Sequence, residues 1–209
     1  ADIKTVLTNK KVIMLCCFAG FMVGPLEGFA DVWGAEFLKR VYSFDATAAS
    51  YLSSMIFVGM CFGAPALSLV AEKSGNYLGT ITGAGILMCT VFVALIAGLM
   101  TATSISISFV LVGVCCAYQI LAIYKASTYV PEHVAGLTTA VANMIIMVFG
   151  YAFHSAIGYV ITSFAADDRV QAFKFGITVI PITLTIGVVG FAILALRETQ
   201  VLKPELDLA

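Results

Sequence analysis

Gly20-Phe-Met-Val-Gly-Pro-Leu-Glu-Gly-Phe-Ala-Asp31 is the stretch on which the fold of this chain turns. It lies inside an apolar segment from about residue 12 to about residue 33, long enough to cross a bilayer. Glu27 and Asp31 stand one helical turn apart and so share a face. Gly20, Gly24 and Gly28 repeat every fourth residue, a spacing that lets a second helix come close. Pro25 removes a backbone donor and is expected to weaken the helix there. Carboxylates in hydrocarbon cost a few kcal/mol each, so both must face protein, water or a ligand. The segment reads as a packed, locally weakened helix that presents acids to a polar interior.

Composition extends this reading to the whole chain. Of its 209 residues, 61% are hydrophobic and only 11% charged. Soluble domains average about 45–50% apolar and about 25% charged, so this chain belongs in a membrane. A net charge of −1 and the lack of a basic tract give no reason to expect a nucleic-acid partner. The N-terminus, Ala1-Asp-Ile-Lys-Thr-Val, has neither an initiator Met nor a signal-peptide layout, which suggests a processed or truncated chain. Cys16, Cys17, Cys61, Cys89, Cys115 and Cys116 all fall within apolar runs and form no CxxC pair. They read as small buried hydrophobes, and no disulfide is expected.

Continuous apolar runs predict six spans, at about 12–34, 46–71, 77–100, 104–128, 137–164 and 174–196. Runs of this length exclude the shorter, alternating strands of a β-barrel. The expected fold is therefore an all-α integral membrane bundle, with a lead-in at about 1–11 and a tail at about 198–209. Asp45 is placed to cap the second span. An even number of spans puts both ends on one side. That side carries Lys4, Lys10, Lys11, Lys73, Lys125, Arg197 and Lys203, against Lys39, Arg40, Arg169 and Lys174 on the other. The positive-inside rule then puts both termini in the cytoplasm.

Between the second and third spans lies Ser68-Leu-Val-Ala-Glu72-Lys73-Ser-Gly75-Asn76-Tyr77. This turn resembles the cytoplasmic loop motif of the major facilitator superfamily, roughly G-x-x-x-D-R-x-G-R. Glu72 stands in place of the Asp, Lys73 in place of the Arg, and Gly75 keeps its position, while Ser68 and Asn76 depart from the pattern. Trp33-Gly-Ala-Glu-Phe-Leu38 followed by Ser43-Phe-Asp-Ala-Thr-Ala-Ala-Ser50 resembles the family's seventh helix, external loop and start of the eighth. Tyr129-Val-Pro-Glu-His-Val-Ala-Gly136 with Thr138-Thr-Ala-Val-Ala-Asn143 resembles its helix 10–11 junction. Together these cover nearly the whole chain and make it similar to the C-terminal six-helix half of such a transporter. The resemblance implies two inverted three-helix repeats, of which Glu72-Lys73 and Asp168-Arg169 give a faint echo.

The resemblance also implies that the first, fourth and fifth spans border a central cavity. Polar residues concentrate there: Glu27 and Asp31; Tyr118, Gln119, Tyr124 and Lys125; Asn143, Tyr151 and His154. Glu27 is the leading candidate for proton coupling, because burial favours the protonated form of an acid and so suits proton pick-up and release. Asp31 could instead be a solvated rim acid. His154 could relay protons or simply satisfy a neighbouring helix. Tyr118, Gln119, Asn143 and Tyr151 are the candidate solute contacts, with interhelical hydrogen bonding as the plainer role of the two amides and packing or interface anchoring that of the tyrosines. Lys125 could snorkel to the cytoplasmic surface. Glu72, Lys73 and Gly75 would form the gating loop.

The function this implies is proton-coupled secondary transport of a small polar solute, such as an amino acid or nucleoside. The setting implied is a bacterial inner membrane, with an N-terminal half or a second copy as partner. Two rivals remain: a membrane scaffold or subunit, and a membrane enzyme built on Glu27, Asp31 and His154. No metal-ligand spacing, phosphate-gripping loop or nucleophile–base pair supports the enzyme, and no cofactor is expected.

Overall fold

A computed structural model describes residues 2–164 and 168–206, with side chains through Glu198. Every regular element among them is helical: α1 (Asp2–Thr8), α2 (Lys10–Gly28), a π-helical turn (Phe29–Trp33), α3 (Gly34–Val41), α4 (Ala46–Ser74), α5 (Tyr77–Ile96), α6 (Ala102–Cys116), α7 (Tyr118–Ser127), a 3-10 turn (Glu132–Val134), α8 (Ala135–Phe164) and α9 (Arg169–Leu206). Six helical stretches are long and apolar enough to cross a membrane: Lys10–Val41, Ala46–Ser74, Tyr77–Ile96, Ala102–Ser127, Glu132–Phe164 and Arg169–Glu198. An integral membrane protein is compatible with this set, which matches the expected spans one for one.

The ends of these helices are written in their caps. Asp45 accepts from the Ala48 amide at 2.9 Å, as its position predicts. Asn76 accepts from the Gly79 amide at 2.8 Å and starts α5. Two residues therefore turn α4 into α5, and Gly75 makes the turn possible by adopting φ 64°, a left-handed conformation open to glycine at little cost. The third span stops earlier than expected. Gly98 takes φ 73°, with Leu99 bonding back to Ala94 and Gly98 to Leu95, a helix-ending motif that the apolar run conceals.

The first span departs from expectation in a more useful way. Helix α2 continues through Pro25 to Gly28, and the irregularity comes just after it, where the Gly34 amide reaches back five residues to the Phe29 carbonyl. Phe29, at the start of this π turn, is fully buried among Phe37, Phe92 and Phe109, with ring centroids 6.1, 5.0 and 5.6 Å away. That aromatic cluster fixes the widened turn from inside. The fourth span is interrupted too. At Ala117 the backbone tightens, with Ala117 bonding to Val114 and Ile120 to Ala117, and α6 gives way to α7.

The most extensive helix–helix seams join α4 with α6, α2 with α8, and α5 with α9. In terms of spans these pairs are two with four, one with five, and three with six. The two ends of the bundle are tied separately. At one, Asn9 Nδ2 donates to the Tyr129 carbonyl at 2.9 Å, and Glu198 accepts from Lys125 at 2.9 Å and from the Tyr129 hydroxyl at 2.5 Å. Lys125 thus has an ionic partner in the last span where simple snorkelling was expected. Burial and the Glu198 carboxylate push the Tyr129 phenol up from its ordinary pKa. At the other end, the Tyr42 hydroxyl donates to the Leu95 carbonyl at 2.7 Å.

Candidate functional site

The glycine repeat of the first span faces α8. A side chain on Gly20 would collide with the Phe149 ring, and one on Gly24 would meet the Phe149 backbone and Phe153 at 2.8 Å. At Gly28 it would meet His154 at 3.2 Å and Ile157 at 3.4 Å. Helix α8 answers with glycines of its own. A side chain on Gly158 would meet the Trp33 ring at 2.8 Å, and the space beside Gly150 is filled by the Glu27 carboxylate. Small residues on both helices thus make room for large or polar side chains from the opposite one.

Glu27 is half-buried in the last turn of α2, immediately before the π turn. The fourth span packs against the same helix at its interruption, where the Tyr118 hydroxyl donates to the Ala19 carbonyl of α2. One carboxylate therefore sits beside the interruption of its own span and on the glycine face of α8, in a helix that the interrupted fourth span also packs against. Among the described residues Glu27 makes no ion pair. Asp31 is exposed within the π turn, about one helical turn beyond Glu27. His154 is half-buried one turn beyond Gly150, and its carbonyl accepts from Trp33 Nε1 at 3.3 Å. That bond fastens the far end of the π turn to α8. Glu27, Asp31 and His154 do not make a metal site: among the described residues no three His, Cys, Asp or Glu side chains converge.

The expected solute contacts divide. Gln119 Nε2 lies 3.5 Å from Asn143 Oδ1, a long contact that joins the fourth and fifth spans on an accessible face. Tyr118 takes the plainer of its two expected roles: it is fully buried, and its hydroxyl donates to the Ala19 carbonyl of α2 at 2.6 Å. The tightened backbone at Ala117 turns this side chain into the bundle, where it ties the first span to the fourth. Tyr151 is 80% exposed, next to Gly150 in sequence but on another side of the helix. Glu72, Lys73 and Gly75 are exposed at the Tyr129 end of the bundle, away from Glu27. The suggested echo at Asp168-Arg169 differs locally, since Glu72 ends a helix whereas Asp168 begins one by accepting from the Val170 amide at 2.7 Å.

Sequence reasoning passed over Trp33 and the seating role of Gly150. Indole spacing from His154 gives no local motif, but Gly150 falls on the same helical face as Asn143 and His154, and that periodicity was visible. A comparison with protein-family models and with curated proteins finds no match to this chain.

Proposed function

We propose that this chain works as the C-terminal half of a proton-coupled secondary transporter of the major facilitator type. The observation that carries the reading is the position of Glu27, a half-buried acid seated on Gly150 beside the interruption of the first span, in a helix against which the interrupted fourth span packs. In transporters built from internal repeats, interrupted helices at corresponding positions mark the binding region near the membrane midplane. The first and fourth spans are such a pair if the chain is two three-helix units.

The helix pairing supports that division. Exchanging the first unit for the second turns span one into four, two into five and three into six. The seams one–five and two–four then swap, and three–six maps onto itself, which is what two related units facing each other in inverted fashion produce. Glu27 would take up and release the coupling proton, with Asp31 as the acid nearer the aqueous end and His154 beside the path. Gln119 and Asn143 supply donors and acceptors for a small polar solute, such as an amino acid or nucleoside. An N-terminal half or a second copy would form the other wall, in a bacterial inner membrane with both ends in the cytoplasm.

The test is uptake into proteoliposomes by the parent protein and its Glu27→Gln variant, with amino acids and nucleosides screened under an imposed pH gradient. The expected result is loss of gradient-driven accumulation with solute exchange retained. Unchanged accumulation in the variant would remove Glu27 from the coupling step.

A further inference from the structure

At the Tyr129 end of the bundle, the end of α4, the start of α5 and the middle of α7 enclose a groove of about 230 Å³. Ser68 and Glu72 line it from α4, Tyr77 from α5, and Ile120, Leu121 and Tyr124 from α7. The two tyrosine rings lie 5.2 Å apart between centroids and are tilted by 35°. Glu72 is exposed, and among the described residues it makes no ion pair. Its sequence neighbour Lys73 points about 100° further round the helix. Lys125, the cation nearest to Tyr124 in sequence, is committed to Glu198.

We propose that this groove binds a small organic cation, of the quaternary or tertiary ammonium class. The chemistry of the lining selects for it. A single carboxylate sets the sign of the charge, and tyrosine rings attract cations through their π faces. Ile120 and Leu121 suit the alkyl groups of a substituted ammonium and fit poorly to an inorganic cation, which requires a cage of oxygen ligands. Size narrows the choice further. Sites for drug-sized ligands span about 300–1,000 Å³, so this groove takes a head group near the size of tetramethylammonium. The site is separate from the Glu27 region, and its occupancy does not depend on whether the chain transports anything.

The test is calorimetric titration of the full chain, in micelles of an uncharged detergent, with tetramethylammonium and with tert-butanol as a neutral molecule of similar shape. Saturable binding of the cation alone is expected, weakened at least tenfold in both Glu72→Gln and Tyr124→Leu. Glu72 and Tyr124 are both exposed, so each variant should elute as the parent does. Equal binding of cation and alcohol, or unchanged affinity in Glu72→Gln, would overturn the proposal. A third arm uses the amide of acetyl-arginine: tighter binding of that compound than of tetramethylammonium would reassign the groove to a peptide side chain.

Discussion

Two helix crossings in this bundle use glycine, and they use it for opposite ends. Where α4 meets α6, Gly59 lies against the Val110 carbonyl and the Gly113 α-carbon, and Gly113 lies against the Ile56 carbonyl. Backbone meets backbone there, and no side chain intervenes. Where α2 meets α8, Gly24 also lies against the Phe149 backbone, but the glycines there mainly receive side chains: Phe149, Phe153, His154, Trp33 and the Glu27 carboxylate. At Gly59 and Gly113 nothing can give way without moving a helix. The second seam is filled largely by side chains with rotamers of their own, two of them, Glu27 and His154, ionisable.

Enlarging Gly113 attacks the rigid seam, and it should be the most damaging change. A Leu at that position has only backbone to displace, and overpacking of this kind costs about 3 kcal/mol or more. Gly113→Leu should lower the thermal midpoint in detergent sharply or abolish folded yield. A variant that unfolds like the parent would show that the seam is less close than described. Gly150→Ala probes the other crossing more gently. A methyl group there displaces only the end of the Glu27 side chain, so a loss of about 1–2 kcal/mol is expected. If Glu27 carries the proton, the same variant also shifts the pH profile of uptake, whereas Gly113 variants that still fold leave that profile alone.

The smallest effect belongs to the polar tie at the bundle end. Lys125 and Glu198 are each partly exposed, with 22% and 30% of their side chains open. Removing the charge in Lys125→Met should cost about 0.5–1 kcal/mol, and less as salt is added. A salt-independent loss would point to lost packing on the Tyr129 ring, where the Lys125 amine lies 5.4 Å from the centroid.

How far the sequence could be read followed from the kind of signal each feature leaves. The six spans were legible because apolar runs of membrane length admit few alternatives. The caps at Asp45 and the turn at Gly75 were legible because each rests on one residue type doing local work. The irregularity of the first span was expected at Pro25, where the chemistry is visible, and it occurs at Phe29–Trp33. Nothing within those five residues marks a π turn, because it is held by Phe37, Phe92 and Phe109 from other parts of the chain. Which of its two readings Tyr118 would follow was hidden for a similar reason: the break at Ala117 carries neither glycine nor proline, so the direction of the next side chain was not legible. Glu27 was found because an acid in an apolar run is conspicuous by itself, while its seat on Gly150 emerged only when two spans were brought together.

The pairing of spans bears on how the chain can be made. Its three largest seams join one with five, two with four and three with six, and each therefore spans the midpoint of the sequence. During synthesis the first three spans leave the ribosome before any of their principal partners exist. Gly20, Gly24, Gly59 and Gly85 then lie open toward lipid or insertion machinery until the second half arrives. Assembly is consequently late and concerted, and a chain arrested after the third span holds three helices whose closest-fitting surfaces have nothing to meet.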